Sequence, residues 1–371
     1  MKPDLKTVAI ICSLSDAASV NIKDNLLKCV PWEEKKRPPI EKMTAALFRF
    51  PPSVPTLESM PSASDFLGTN EMTGIYEFKT SDILFHLILL DGKHIFQDRL
   101  DCRLSFLDLP ADLIIFASKH RSKSETKALT VHPTGNPEKS ALGGEPYSLS
   151  VPAPLDMKKI LWTMNVLNQK MGLGFDVTLE VTHHGPTELS VPSLFAEIGS
   201  TENEWGIPLA GEIVAKSILS LSVDFSEKQA ESKYESESKC ELESKCELES
   251  EHESEPSNLI PAELLLSDPV FAVGFGGGHY AQRQTKSLFR TRLAFGHIFP
   301  KYQLESLPES VLKDAFLKTK TRLAFFDKKS IKGEDRKRLT EMIEALGFQI
   351  LNDKDAVLEY GFKDFSAGDD D

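Results

Sequence analysis

No apolar run in this sequence approaches the roughly 20 residues that a membrane-spanning helix needs. The apolar stretch near its start, Val8 to Ser13, is only six residues long. Neither a membrane partner nor a secretory signal core is expected from such a pattern. Cysteine is also scarce. Cys12, Cys29, Cys102, Cys240 and Cys246 form an odd set with no CxxC pair. That argues against a disulfide framework or a cysteine-based zinc site, and for a reducing compartment, the cytoplasm with the nucleus as alternative. The glycine-rich stretch lacks a Walker Lys-Ser/Thr and fails the GxGxxG spacing at its third glycine, so nucleotide binding has little support. Positive charge is in deficit: 43 Lys and Arg face 56 Asp and Glu, a net charge of −13 over 371 residues. Taken whole, that balance speaks against nucleic acid, because phosphate recognition wants cations.

The acid is not evenly spread. Eleven Glu and four Lys lie between Ser226 and Glu255, and three Asp close the chain, so these two stretches carry ten of the thirteen negative charges. The body that remains is nearly neutral. Its composition, 40% hydrophobic and 27% charged overall, is that of an ordinary globular protein. The acidic segment reads SKYESE, SKCELE, SKCELE, SEHESE, a hexapeptide repeat with almost nothing to bury. Too little apolar surface is available there to offset the entropy of ordering. The reading is therefore a disordered acidic insertion at 226–256, with residues 1–225 and 257–371 rejoining as one catalytic domain or two subdomains. A solvated charged helix is the competing reading of the insertion.

Short apolar runs recur through the body. Expected strands are Thr7–Cys12, Ala46–Phe50, Ile83–Leu90, Asp112–Ala117, Ala128–His132, Phe175–Thr182, Ser193–Ile198, Val270–Phe275, Thr291–His297, Thr321–Phe326 and Phe348–Leu351. Several, such as ILFHLILL, are apolar on both faces, as strands of a helix-covered sheet are. Helical spacing marks Met157–Met171, Glu204–Leu221 after the cap candidates Ser200 and Thr201, and Gly333–Leu346 before the stop signal Gly347. Strands mixed with helices predict an α/β protein, a layered mixed β-sheet flanked by helices.

Six of nine His stand where strand-like runs give way to Gly, Pro or polar residues: His120, His132, His183, His184, His279 and His297. Loops at strand ends are where α/β proteins carry their sites. His86 and His94 read as satisfied core or surface groups, and His252 belongs to the repeat. In Glu180-Val-Thr-His-His-Gly-Pro, strand alternation puts Glu180 and His184 on one face and His183 on the other. Glu180, His184 and a third group would then bind zinc, or a carboxylate would orient a catalytic His. The glycines of Gly274-Phe-Gly-Gly-Gly-His-Tyr280 permit positive φ and close approach of a ligand to backbone N–H groups, a phosphate cradle or an oxyanion site. Phe116-Ala-Ser-Lys-His-Arg-Ser122 supplies Ser118, Lys119, His120 and Arg121, suited to phosphate or simply a solvated basic loop. Glu197 appears as a carboxylate delivered by a strand to a helix start.

Taken together, SDAASVNI, FASKHRS, LTVHPTGN, EVTHHGPTEL, EIGSTENEW, GFGGGHYAQR and FGHIFPKY resemble the archaeal- and plant-type D-aminoacyl-tRNA deacylases, in order, from about residue 8 to about residue 351. Two departures are the acidic insertion and Gln282, which stands where the family pattern has Pro. The resemblance implies a fold akin to phosphorylases, peptidyl-tRNA hydrolases and zinc carboxypeptidases. It also implies hydrolysis of the ester joining a D-amino acid to the terminal ribose of tRNA, aldehyde-modified D-aminoacyl-tRNA included, as translational proofreading. Zinc is the implied cofactor and tRNA the implied partner, with no DNA; a monomer is expected. On that basis Glu180, His183, His184, His279 and His132 are the catalytic candidates. Gly276, Gly277, Gly278, Tyr280, Ser118, Lys119, His120, Arg121, Asn136, Thr182 and Arg283 are the substrate-binding ones, and His184, Glu180 and Glu197 the metal set. Arg290 and Arg292 join Lys119, Arg121 and Arg283 as cations for the tRNA acceptor end. A zinc-dependent peptidase or amidohydrolase using the same His/Glu cluster is the alternative, and a non-enzymatic binding module centred on the repeat a third.

Overall fold

A computed structural model describes residues 5–36, 72–139, 142–225 and 267–362. The expected strand Ala46–Phe50 and the acidic repeat lie outside the described residues. In chain order the strands are β1 (Lys6–Ser13), β2 (Glu33–Glu34), β3 (Met72–Lys79), β4 (Ile83–Leu90), β5 (Leu113–Lys119), β6 (Ala128–His132) and β7 (Gly135–Asn136). They continue with β8 (Ser148–Leu149), β9 (Asp176–Leu179), β10 (Ser193–Gly199), β11 (Val270–Phe275), β12 (Leu293–Phe299), β13 (Leu323–Phe326) and β14 (Gln349–Asn352). The helices are α1 (Ala17–Cys29), α2 (Leu100–Phe106), α3 (Pro154–Met171), α4 (Glu202–Trp205), α5 (Pro208–Leu219), α6 (Gln282–Arg290), α7 (Glu309–Thr319), α8 (Gly333–Ala345) and α9 (Asp353–Tyr360).

A large mixed sheet runs β2-β3-β4-β1-β5-β10-β6-β9, and a smaller one runs β12-β11-β13-β14. In the large sheet β4, β1, β5 and β10 are mutually parallel, β3 pairs antiparallel with β4, and β6 pairs antiparallel with β10. The small sheet is wholly parallel. From β1 the chain passes to β4 on one side, then returns to β5 on the other. Where strand order reverses like this, the helices leave to opposite faces and a crevice opens at the carboxyl ends of the strands. Side chains from α1, α3 and α5 cover one face of the large sheet and α2 the other. Fully buried Phe85, Phe116, Phe195 and Phe295 anchor these layers; burying each contributes about 1.5–3 kcal/mol. One core joins both sheets, since Leu293, Phe295 and Phe325 pack with Ile198, Leu161 and Val214.

Expected elements differ from observed ones for local reasons. The single helix foreseen over Glu204–Leu221 is two, α4 and α5. Pro208 has no N–H to continue a helix, and Ile207 before it is extended at φ −68°, ψ 112°. Thr201 caps α4 in a reciprocal box with Glu204. The strand foreseen over Phe175–Thr182 stops at Leu179: the Glu180 N–H still reaches β6, but those of Val181 and Thr182 turn away from the large sheet. Glu180 N donates to Val131 O (3.0 Å), Val181 N to His279 O (3.1 Å) and Thr182 N to Ile298 O (2.9 Å). This short segment thereby stitches the large sheet to the small one.

His297 supports that seam from inside β12. Its Nε2 lies 3.0 Å from Ser150 O and its Nδ1 3.2 Å from Thr182 Oγ1. Burial, with Lys318 adding to it, pushes the His297 pKa from the ordinary 6.5 down to about 3. The folded state refuses a proton that the unfolded chain accepts below about 6.5. Stability is thus fully present above that pH and is lost as pH falls from 6.5 toward 3. His297→Asn should lower stability at pH 7 by about 1–3 kcal/mol through broken hydrogen bonds. It should also flatten the acid dependence over that window, as urea unfolding at a series of pH values would measure.

Candidate active site

Five of the six His at strand ends meet at the crevice. His120 follows β5, His132 ends β6, His183 and His184 follow the seam, and His279 follows the glycine loop after β11. Glu197 of β10 lies opposite Ser118 of β5 and Thr130 of β6. Alternation along β10 puts Glu197 and Phe195 on one face, and the Phe195 ring stacks on His132 at 4.9 Å and 5°.

Glu180 is the centre of the cluster and is fully buried. Its two oxygens lie 3.0 Å from His120 Nδ1 and 2.8 Å from His279 Nε2, with His183 Nε2 at 3.8 Å. Glu197 Oε2 lies 3.6 Å from His132 Nε2 and 3.7 Å from His120 Nδ1. Burial alone would raise the Glu180 pKa, but His120 and His279 hold it well below the usual carboxylate range. Burial of Glu197, with Glu180 beside it, pushes that carboxyl well above its usual range. Two carboxyls sharing one dry site thus have their pKa values driven in opposite directions. Burial opposes charge on His120 and His279, and the Glu180 carboxylate outweighs it, raising both.

The other three rings behave oppositely. Nδ1 of His132, His183 and His184 faces the carbonyl oxygens of Pro133 (3.0 Å), Val181 (2.7 Å) and Gly185 (2.8 Å). A neutral ring that donates Nδ1–H to a carbonyl carries its lone pair on Nε2. Burial pushes His132 to about 4 and His184 to about 3, and His183 well below its ordinary value. The three ligand nitrogens lie within 4.8 Å of one another, and His132 Nε2 is buried with no hydrogen-bond partner. Neutral imidazoles oriented by carbonyl partners are a donor set that fits a divalent metal. The groups His120, Glu180, His279 and His132, Glu180, Glu197 have similar spacing. The metal set foreseen from sequence, His184 with Glu180 and Glu197, spans two of these groups: His184 lies with His132 and His183, and both carboxylates lie with His132. Strand alternation cannot separate His183 from His184, because the strand has ended at Leu179. Both rings lie against His132, at 4.6 and 4.8 Å between centroids.

Other residues singled out from sequence are distributed more widely. Tyr280 lies against His120 and His279, and its hydroxyl is 3.0 Å from Ser200 Oγ. Ser118 Oγ and Lys119 N both reach Asp16 Oδ2, at 3.5 and 3.2 Å. Lys119 and Arg121 stack over Trp205, and Arg121 pairs with Glu202 at 3.1 Å. Asn136 donates to Gly143 O and Glu145 O, fastening a loop. The Thr182 hydroxyl meets His297 and Ile298, and Arg283 pairs with Asp327 and Asp353. Arg290 and Arg292 do not line the crevice. They stand where β12 begins, and its seven residues place them roughly 20 Å from the Phe299 end beside the glycine loop. Asp16, which caps α1 through Ser19 N at 3.0 Å, escaped the residue-level reading, although an Asp ahead of a helical pattern is the usual cap signal.

The glycine loop is built more tightly than a free cradle. Gly276 N donates to Phe299 O (2.8 Å) and Gly277 N to Ser330 Oγ (2.6 Å). Two of the three N–H groups foreseen for an oxyanion or phosphate are thus already used. Gly278 has open space around it.

A family model described as D-aminoacyl-tRNA deacylase matches residues 107–351. The chain belongs to the D-aminoacyl-tRNA deacylase family. Proteins named D-aminoacyl-tRNA deacylase from Methanosarcina barkeri and Methanosarcina mazei are each 42% identical to it. The first alignment covers 95% of this chain and 92% of the relative, the second 96% of each. The crystal structure of a conserved protein of unknown function is 30% identical and superposes with a TM-score of 0.69, covering 96% of this chain and 99% of the other. Deacylase-family membership thus joins the mixed α/β fold and the His/Glu cluster.

Gly276 has φ +97°, and a Cβ there would sit 2.6 Å from Ser330 Oγ. Gly276→Ala should destabilise the fold by about 1–3 kcal/mol and displace His279. Thermal unfolding together with deacylase activity would check this, both falling.

Proposed function

We propose that this chain hydrolyses the ester between a D-amino acid and the 3′-terminal ribose of tRNA, releasing both, as a proofreading step. The observation that carries the reading is convergence. Four strand ends and the seam bring five His and two buried carboxyls to one crevice in a member of the deacylase family. Ester hydrolysis needs an activated water, a proton for the leaving oxygen and donors for the developing oxyanion.

The chain's own groups divide among these tasks. His132, His183 and His184 would hold zinc, which when bound lowers the pKa of water and polarises a carbonyl. Glu180 orients His279 through the 2.8 Å contact at Nε2. The His279 side chain is 34% exposed, so it is the member of the cluster placed to meet a substrate and to exchange a proton with it. The Gly278 N–H is the donor on the glycine loop left for an oxyanion. Glu197, its pKa raised by burial and by Glu180, stands within 3.7 Å of both His120 and His132.

Matched D- and L-aminoacyl-tRNAs offered to the purified protein test the reading. Preferential release of the D-amino acid is expected, and equal rates on both, or turnover of D-amino-acid dipeptides instead, would sink it. Chelator treatment should abolish activity and zinc restore it. His183→Ala should lose bound metal by elemental analysis, with activity down by two orders of magnitude or more. His279→Ala should retain the metal while losing a comparable share of turnover.

A further inference from the structure

Beside the active site lies a surface that the catalytic reading leaves unused. Gly277 is held between two segments: its carbonyl accepts from Lys301 N (3.0 Å) and its N–H donates to Ser330 Oγ (2.6 Å). Lys301, Lys328 and Lys329 are therefore fixed at the lip of the glycine loop that presents His279, and all three are exposed. The carboxylates nearby are engaged elsewhere: Asp327 holds Arg283 at 2.9 Å, Glu305 faces Lys332 at 3.7 Å, and Glu138 accepts from the Ser306 hydroxyl at 3.1 Å. Among the described residues, no acidic side chain pairs with Lys301, Lys328 or Lys329.

Two aromatic rings accompany these cations. Tyr302 is 55% exposed and Tyr147 49% exposed. Tyr147 N donates to the Glu138 carbonyl (2.9 Å), and Tyr302 directly follows Lys301, whose N–H holds the glycine loop. Burial, then the charges of Glu138 and Glu180, raise the Tyr302 hydroxyl's pKa. By contrast, Lys119 and Arg121 stack on buried Trp205, which has no face to offer a ligand. Unpaired cations beside solvent-facing aromatic rings are how proteins hold single-stranded nucleic acid: phosphates meet the lysines and bases stack on the rings. A tRNA ends in an unpaired CCA, the only part of it able to enter a crevice bearing its own terminal ester.

We propose that Tyr302 and Tyr147, with Lys301, Lys328 and Lys329, form the platform that receives the unpaired 3′ end of tRNA and leads its terminal ribose to His279. This rests on the deacylase reading and deepens it. The rings and cations position the substrate; none of them touches the reacting bond.

The test is fluorescence anisotropy with a labelled single-stranded ACCA tetranucleotide, across a salt series. Tyr302→Ala should weaken binding about tenfold, while Tyr302→Phe, which keeps the stacking face, stays near wild type. Lys328→Glu with Lys329→Glu should weaken binding and reduce the slope of affinity against salt. Arg322→Glu lies before β13, at the end of the small sheet away from the lip, and should change nothing. In turnover of D-aminoacyl-tRNA, the lip variants should raise KM and keep kcat. Unchanged binding in Tyr302→Ala and in the double Lys variant would overturn the proposal, as would an equal loss in Arg322→Glu. Wild-type protein that binds the tetranucleotide through this lip but does not hydrolyse D-aminoacyl-tRNA would instead defeat the deacylase reading alone.

Discussion

The structure turns on one buried carboxylate. Glu180 has no exposed surface, and an isolated charge in such a place would be prohibitively costly. It is tolerated because His120 and His279 arrive at 3.0 and 2.8 Å from two different sheets. The segment that carries it also bonds to Val131, His279 and Ile298, so the charge and the junction of the sheets are one feature. Loosening either would loosen the other. The core shared between the sheets lies beneath and holds the rings in register.

Around that carboxylate the histidines divide into two kinds by their partners. Those facing Glu180 are drawn toward the charged form, whereas those facing backbone carbonyls are kept neutral by burial. One crevice therefore offers proton-exchanging groups next to metal-ligating ones. The division comes from which atoms each ring meets, since the residue type is the same. Glu197 and Glu180 repeat the principle for carboxyls: burial raises the pKa of one while His120 and His279 lower that of the other.

The glycine loop shows a further economy of parts. Gly276 and Gly277 use positive φ to turn tightly, and their N–H groups fasten the loop to Phe299 and Ser330. Those donors are occupied, which leaves Gly278 and His279 for the crevice. The same fastening sets Lys301 and the Lys328–Lys329 pair at the lip, so catalytic and docking surfaces share one scaffold.

Much of this protein was legible in sequence. Apolar runs marked most strands of both sheets because burial on two faces demands them, and five of the six His at strand ends did converge. Pro208 marks the break in a helix that apolar spacing alone had run together. What sequence could not supply was pairing in space. Alternation placed His183 and His184 on opposite faces, yet they share a cluster, because the regular strand ends at Leu179 and the N–H groups of Val181 and Thr182 turn to His279 and Ile298. Arg290 and Arg292 were read as tRNA-facing on the strength of the family resemblance, and a strand of seven residues carries them to the far end. The sequence by itself determined which chemistry is present, since side chains and backbone propensities are local properties. Only the tertiary structure decided which His meet a carboxylate and which lysines stay unpaired, because those depend on contacts between distant parts of the chain, Glu180 lying 60 positions from His120 and 99 from His279.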